Sequence, residues 1–164
     1  MLPSWAVAGP ERRAHIERVV ALLDQWATAF RVPAAERDRW VRAGWLHDAL
    51  RDVASADELV HGPLAADRAH KEGERDQGVL DAVRYHSTGY AKWDDVGRML
   101  YLADYLEPGR KFAADVRAAL AARVPQERDA VLRDVARRRI DWALESGWAL
   151  PAHTVVFWNA LVSR

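Results

Sequence analysis

The chain has 164 residues, of which 50% are hydrophobic and 29% are charged, which is enough apolar material for one compact domain and excludes a disordered chain. Basic and acidic residues are equal in number, 24 of each, which argues against a protein that coats duplex nucleic acid but leaves room for a small basic pocket. The chain has no cysteine, so disulfides, thiolate metal sites and a cysteine nucleophile are excluded, and any metal must be bound by histidine, aspartate or glutamate.

The sequence contains no apolar run that approaches the roughly 20 residues needed to span a bilayer. Its first ten residues carry no basic start and are too short for a signal peptide. We therefore expect a cytoplasmic protein without a membrane partner.

The first half of the chain is predicted to form successive helices. Gly9-Pro10 marks the first helix start, and apolar residues from Ile16 to Phe30 then recur at three- and four-residue steps. Ser55 and Glu58 have the spacing of a capping box. The predicted elements are helices over about 11–30 and 34–46, a short helix after Ser55, and a helix from after His61-Gly62-Pro63 to about Lys71.

The second half continues in the same way. Asp76 is predicted to cap a helix that ends near His86, and Ser87-Thr88-Gly89 forms a turn. Helices are then predicted over about 96–106, 113–123, from Pro125 to near Gly147, and after Pro151. Because no alternating strand pattern and no long linker interrupts this series, we predict a single all-α domain over residues 1–164.

Three polar signals interrupt the apolar helices. His47-Asp48 lies in an apolar stretch at a helix end, where burying a carboxylate requires a counter-charge, hydrogen bonds or a metal. Asp104 lies alone among leucines and tyrosines, and His15 borders the apolar face of the first helix. Each signal taken alone has a structural explanation: a capping aspartate beside a packed histidine, an aspartate paired with tyrosine or arginine, and a satisfied core histidine.

Taken together, these four residues change the interpretation. A divalent ion without thiolates needs imidazole and carboxylate ligands, and facing helices of a bundle commonly supply them. His15, His47, Asp48 and Asp104 would provide two of each from three helices. We therefore predict that these four side chains meet at a metal in the interior.

The order of these residues resembles the HD superfamily of metal-dependent phosphohydrolases. Within that superfamily the chain is similar to the bacterial symmetrical diadenosine-tetraphosphate hydrolases, over residues of about 12 to 161. The resemblance is carried by Arg12 to His15, Leu46 to Asp48, His61 to Pro63, Tyr85 to Gly89, Leu102 to Arg110, His153-Thr154 and Trp158-Asn159. It implies an all-α HD-domain helical bundle that cleaves diadenosine tetraphosphate into two ADP molecules with a metal-activated water.

The resemblance also implies roles for individual residues. His15, His47, Asp48 and Asp104 would bind one or two divalent ions, first of all iron, with manganese, cobalt or nickel as alternatives. Asp48 would orient the attacking water, and His61 and His86 would contact phosphate, protonate the leaving phosphate or hold a second metal. The expected substrate contacts are Arg12, Arg51, His61, His86, Arg110, Thr154 and Asn159.

Three departures from the family pattern affect the expected substrate. The segment between Asp48 and His61 is short, Arg51 stands where the family has lysine, and the stretch from Leu64 to Asp67 lacks a glycine. The alternatives are therefore an HD phosphohydrolase acting on another nucleotide, a nucleotide-binding regulatory module without turnover, and a helical interaction protein with structural histidines. A homodimer is considered, and the sequence does not fix the oligomeric state.

Overall fold

Helices supply all the regular secondary structure of the residues that the computed structural model describes, 1–53 and 59–163. They are α1 (Pro10–Ala29), α2 (Ala34–Leu46), α3 (His61–Lys71), α4 (Gln77–Tyr85), α5 (Asp95–Leu106), α6 (Ala114–Glu145) and α7 (Ala152–Val162). The predicted all-α fold is confirmed. None of the helices in these residues is both long enough and apolar enough to cross a membrane. The short helix predicted after Ser55 lies outside the described residues.

Helix α5 forms the centre of the bundle. It packs against α1, α2, α4 and α6, and its buried face carries Met99, Leu100 and Leu102. Asp104 is the charged residue on this buried face. Since an ionised carboxylate inside an apolar core needs partners, the packing of α5 already marks the place where polar side chains must converge.

The boundaries of α4 follow from local chemistry. The Asp76 carboxylate accepts a hydrogen bond from the Val79 N–H at 3.2 Å, as predicted for an N-cap. The helix ends at Tyr85, and the chain turns through Gly89, which has a φ of +87°. A Cβ atom at Gly89 would lie 2.2 Å from Phe157, so this turn is also the docking point of α7.

The start of α3 differs from the prediction. His61, Gly62 and Pro63 form the first turn of the helix rather than a loop before it. Proline is tolerated in a first turn because the N–H that it lacks has no intrahelical acceptor there. A Cβ at Gly62 would lie 2.8 Å from the Arg84 carbonyl oxygen, so glycine lets α3 approach the backbone of α4 closely.

Helix α6 also differs from the prediction of two separate helices. It runs through Pro125 and has one non-helical residue, Glu127, with φ −133° and ψ 37°. The break that Pro125 imposes is therefore a kink and not a loop. Leu120 and Val124 before the kink and Val131 and Val135 after it are all buried, so core packing keeps both segments on the same face of the bundle.

Candidate metal centre

Six polar side chains from five helices or helix ends meet in the interior. None is more than 6% exposed, so each must find partners inside the protein. They come from α1, the end of α2, the start of α3, the end of α4, and α5. The six are His15, His47, Asp48, His61, His86 and Asp104.

The first group joins α1, α2 and α5. His15 Nε2 lies 3.1 Å from Asp104 Oδ1 and 3.3 Å from His47 Nε2, and His47 Nε2 lies 4.0 Å from Asp104 Oδ1. Oδ2 of Asp48 lies 3.6 Å from His15 Nε2 and 3.8 Å from His47 Nε2. Donor atoms bound to one first-row metal at about 2.1 Å are about 3.0–3.4 Å apart, so this spacing is close to that of a ligand set.

The second group joins the ends of α2, α3 and α4. Oδ1 of Asp48 lies 3.2 Å from His61 Nε2 and 3.4 Å from His86 Nε2, and the two Nε2 atoms are 3.0 Å apart. The structure thus contains two triads, each able to hold a metal ion: His15, His47 and Asp104, and Asp48, His61 and His86. Asp48 directs Oδ1 to the second triad and Oδ2 towards the first.

The histidine rings are oriented by hydrogen bonds on their outer nitrogens. Nδ1 of His47 lies 2.7 Å from the Gly44 carbonyl, and Nδ1 of His86 lies 2.8 Å from the Val83 carbonyl. A carbonyl oxygen only accepts, so Nδ1 of each ring is the protonated donor and Nε2 turns its lone pair towards the centre. These lone pairs face carboxylate oxygens at 3.4–4.0 Å. Two acceptors repel each other at this distance, and a cation bound between them would replace the repulsion with attraction.

The protonation states also fit metal binding. Burial lowers the pKa of His47 to about 4, so this imidazole is neutral at neutral pH. Burial raises the pKa of Asp48, but its contacts with His47, His61 and His86 lower it by more, leaving it well below its usual value. Burial also raises the pKa of Asp104, but Arg139, His15 and Arg110 lower it by more, leaving it well below its usual value. His47 is therefore neutral and the two aspartates are ionised, which are the forms that bind metals. For His15, burial lowers the pKa, but hydrogen bonds to Asp104 and Glu107 outweigh it and raise the pKa, so metal binding there would displace a proton.

Two predicted arginines lie against this centre. Arg12 Nη1 donates to Asp48 Oδ2 at 2.5 Å, and Arg110 Nη2 donates to Asp104 Oδ1 at 2.9 Å. Arg12 lies one turn before His15 on the same face of α1, as predicted. The Nε–H groups of both arginines are buried and have no hydrogen-bond partner in the described part of the chain. Each Nε lies within ion-pair distance of a carboxylate, Arg12 Nε 3.7 Å from Asp52 Oδ1 and Arg110 Nε 3.6 Å from Glu107 Oε1.

Sequence reasoning missed Glu107 and Arg139. Glu107 Oε1 lies 3.1 Å from His15 Nδ1, and the carboxylate also accepts from Arg18 and from the Gly109 N–H. Burial raises the pKa of Glu107, but these hydrogen bonds outweigh it and lower the pKa to about 2. Arg139 Nη2 donates to Asp104 Oδ2 at 2.8 Å. Glu107 follows Leu106 inside a motif already noted, whereas Arg139 lies in an arginine run of α6 that carries no local signal.

The remaining predicted residues have contacts outside the two triads. Arg51 follows Asp48 in a turn, in which its backbone N–H donates to the Asp48 carbonyl. Thr154 is buried, and its hydroxyl donates to the Thr88 carbonyl at 2.8 Å, beside a cavity of about 110 Å³ that also touches Ser87 and Arg139. Asn159 is exposed on α7, and its described contacts are hydrogen bonds from Ser163 to its carbonyl.

Comparisons with known proteins identify the family of the chain. The sequence profile of the HD domain matches residues 12–109, which is more than half of the chain. The chain belongs to the HD-domain family, as the sequence motifs predicted.

The relatives that match are proteins named symmetrical bis(5'-nucleosyl)-tetraphosphatase. Identity is 43% over 54 residues with the protein of Staphylococcus aureus, covering 32% of this chain and 28% of that one. It is 42% over 57 residues in Halalkalibacterium halodurans and 41% over 56 residues in Bacillus subtilis, each covering 34% of this chain and 30% of the relative. The match therefore spans less than a third of the length of these relatives.

A solved structure supports the fold. The crystal structure of a predicted HD superfamily hydrolase involved in NAD metabolism from Clostridium acetobutylicum superposes with a TM-score of 0.81. The alignment covers 95% of this chain and 91% of that one, at 22% sequence identity. The likeness extends the HD-type helical bundle to almost the whole described chain.

Proposed function

We propose that this protein is a metal-dependent phosphohydrolase that holds two divalent cations and cleaves dinucleoside polyphosphates, with diadenosine tetraphosphate giving two ADP molecules. The observation that carries the proposal is the carboxylate of Asp48, which directs one oxygen to each of two buried triads. The names of the relatives that match part of the chain support the substrate class.

The two triads divide the ligand roles. His15, His47 and Asp104 would hold one cation, His61 and His86 the other, and Asp48 would contribute an oxygen to each. The 3.0 Å approach of the two Nε2 atoms in the second triad favours metal binding over direct phosphate contact for His61 and His86. Imidazole and carboxylate donors without thiolate suit iron, manganese, cobalt or nickel, and we propose iron first.

When bound, the two cations would supply Lewis acidity towards the phosphoryl oxygens and an activated water as nucleophile. The chain itself would position the substrate. The Nε–H groups of Arg12 and Arg110 are buried donors next to the carboxylates that they already contact, and each guanidinium can bind phosphate through more than one N–H. The buried surroundings exclude bulk water, which strengthens each of these charge interactions.

Symmetrical cleavage forms one bond to phosphorus and breaks one. Water adds to one of the two central phosphorus atoms of the tetraphosphate, the bond from that phosphorus to the central bridging oxygen breaks, and each ADP leaves with two phosphates. The products separate this reaction from asymmetrical cleavage, which would give AMP and ATP.

The proposal is tested with purified protein loaded with iron, manganese or cobalt and incubated with diadenosine tetraphosphate, with the nucleotides resolved by chromatography. We expect ADP as the nucleotide product. The Asp48→Asn variant should lose at least 100-fold in rate because both triads lose a charged oxygen. Asp38→Asn is the matched control, since Asp38 is exposed on α2, the helix that leads to His47 and Asp48. ADP release that is equal in Asp48→Asn and wild type would overturn the proposal.

The short segment between Asp48 and His61 favours a second candidate, the same chemistry on another nucleotide. A panel of mononucleotides, cyclic nucleotides and dinucleotides with different phosphate numbers separates the two, because the preferred substrate shows the highest kcat/KM. Tight nucleotide binding without turnover of any member of the panel would instead indicate a regulatory module.

A further inference from the structure

A wide groove opens beside the metal centre. It has a volume of about 670 Å³ and begins at Asp104. One wall is the segment that joins α5 to α6, and the other is α6 itself. Its charged and aromatic lining includes Arg110, Phe112, Arg117, Arg138, Arg139 and Trp142.

The groove is positively charged. Five basic side chains and three acidic ones line it, which leaves an excess of two positive charges in a protein whose formal net charge is zero. This count includes Asp104, whose two oxygens accept hydrogen bonds from Arg110 and Arg139. A concave surface with one sign of charge concentrates ligands of the opposite sign.

Arg117 and Arg138 are two of the basic lining residues without an acidic partner among the described residues. The Arg117 guanidinium donates to the carbonyls of Phe112 and Tyr105 and stacks 3.8 Å from the centroid of the Tyr105 ring. The Nε–H of Arg138 is buried without a hydrogen bond. Over residues 1–53 and 59–163, neither side chain forms an ion pair. Partly buried guanidinium groups held in this way are suited to bind phosphate oxygens.

Aromatic rings flank the same groove. Phe112 is 80% exposed and Trp142 is 53% exposed, unusual values for large aromatic side chains. Trp148 contacts the Trp142 ring edge to face at a centroid distance of 4.9 Å, which limits the positions of the exposed indole. Arginine N–H donors that can bind phosphate lie next to exposed aromatic rings, which matches the two parts of a nucleotide. Any nucleobase can stack on an aromatic side chain.

We propose that this groove is the subsite for one nucleoside diphosphate half of the substrate, with Arg117 and Arg138 contacting its phosphates and Phe112 and Trp142 contacting its base. The inference rests on the proposed function, because the reaction at the metal centre fixes where the phosphate chain starts. Arg139 and Asp104 connect the two places, since both line the groove and Arg139 binds Asp104. The phosphate chain would run from the centre past Arg139 into the groove.

Binding is measured by calorimetry with the metal-loaded protein and a diadenosine tetraphosphate analogue in which a methylene group replaces the central bridging oxygen. We expect the Kd to rise about tenfold in Arg138→Gln, because a charged donor to phosphate is lost. Trp142→Ala should weaken binding about fivefold through the lost stacking surface. The matched control is Arg137→Gln, because Arg137 is more than half exposed and lies near Asp134, and its Kd should equal that of wild type.

The outcomes separate this inference from the proposed function. Wild-type hydrolysis combined with unchanged Kd values in Arg138→Gln and Trp142→Ala would overturn the subsite and leave the function standing. Weakened binding in both variants, when the wild type binds the analogue but hydrolyses nothing, would support the subsite and overturn the function. Thermal melting of each variant verifies that it is folded, and failure of the wild type to bind the analogue would overturn both.

Discussion

The carboxylate of Asp48 has a different neighbour at each oxygen. Oδ1 faces His61 and His86, whereas Oδ2 faces Arg12, His15 and His47. No other carboxylate in the described part of the chain belongs to both groups of candidate ligands. A single side chain therefore couples the two triads, and its loss should affect both ions at once.

We expect Glu107 to raise the metal affinity of the first triad without itself binding a metal. It accepts a hydrogen bond from Nδ1 of His15 and so fixes the ring with Nε2 towards the centre. Glu107→Gln keeps the shape but removes the charge, and partners of this kind typically change metal affinity 10–100-fold. We expect the affinity for one of two Mn²⁺ ions to fall by at least about tenfold, measured by competition with a fluorescent chelator.

The control for this experiment is Glu11→Gln, since Glu11 is exposed in the first turn of α1. Equal Mn²⁺ affinities in Glu107→Gln, Glu11→Gln and wild type would contradict the role given to Glu107.

Asp76 provides a pH-dependent contribution to stability away from the metal centre. Hydrogen bonds from Arg39 lower the pKa of Asp76 and outweigh the effect of burial. Because the folded-state pKa is below the unfolded value of about 3.9, the stabilisation is complete above that pH and is lost as the pH falls through the folded pKa. Asp76→Asn keeps a capping side chain but removes the charge, so we expect it to cost about 1 kcal/mol at pH 7.

Urea unfolding of wild type and Asp76→Asn at several pH values tests this expectation. The difference in unfolding free energy should be constant from pH 7 to 5 and shrink as the pH falls below about 4. A difference that stays the same down to pH 3 would mean that the charge of Asp76 is not the cause.

Among the helices, the contact between α3 and α4 determines the distance between the two histidines of the second triad. A Cβ atom at Gly62 would lie 2.8 Å from the Arg84 carbonyl oxygen and 2.9 Å from that of Val83, and these are backbone atoms that cannot turn away. The Val83 carbonyl also orients His86. The close approach that glycine permits is therefore what brings His61 to His86.

Gly62→Ala is expected to force α3 away from α4, at a cost of about 1–3 kcal/mol for overpacking. The variant should then bind one divalent ion per chain more weakly, because His61 moves away from His86. Urea unfolding and metal titration measure the two effects. Leu64→Ala is the control on the same helix, since Leu64 is 40% exposed. Wild-type stability and metal binding in Gly62→Ala would contradict this account of the contact.

At the scale of the whole molecule, bound metal should stabilise the fold by mass action. A ligand at 100 times its Kd adds about 2.7 kcal/mol to the unfolding free energy, which for a chain of this size raises the Tm by about 5–10 °C. We expect this rise on adding Mn²⁺ to metal-free protein and expect it to be largely lost in His15→Ala. His70→Ala should keep it, because His70 is exposed on α3. Equal rises in both variants would contradict the prediction.

Much of the fold could be predicted from the sequence because its signals are local. The start of α4 at its N-cap Asp76 and the apolar periodicity of α1 both depend on residues within a turn or two of each other. The family motifs likewise indicated His15, His47, Asp48 and Asp104, which the structure brings together.

The parts that could not be predicted depend on packing between distant segments. The contribution of Arg139 arises from the path of α6 past Asp104, and the kink at Glu127 replaces a loop because buried residues lie on both sides of it. The division of the ligands into two triads depends on how closely α3 approaches α4, and sequence spacing contains no measure of that distance.

The most direct test of the central claim is the metal content of the purified protein, loaded with Fe²⁺ or Mn²⁺, freed of excess ions and analysed by mass spectrometry of the elements. Two buried triads, with the Asp48 carboxylate of the second also directed towards the first, predict two ions per chain. A content of one ion or none per folded chain would contradict the claim.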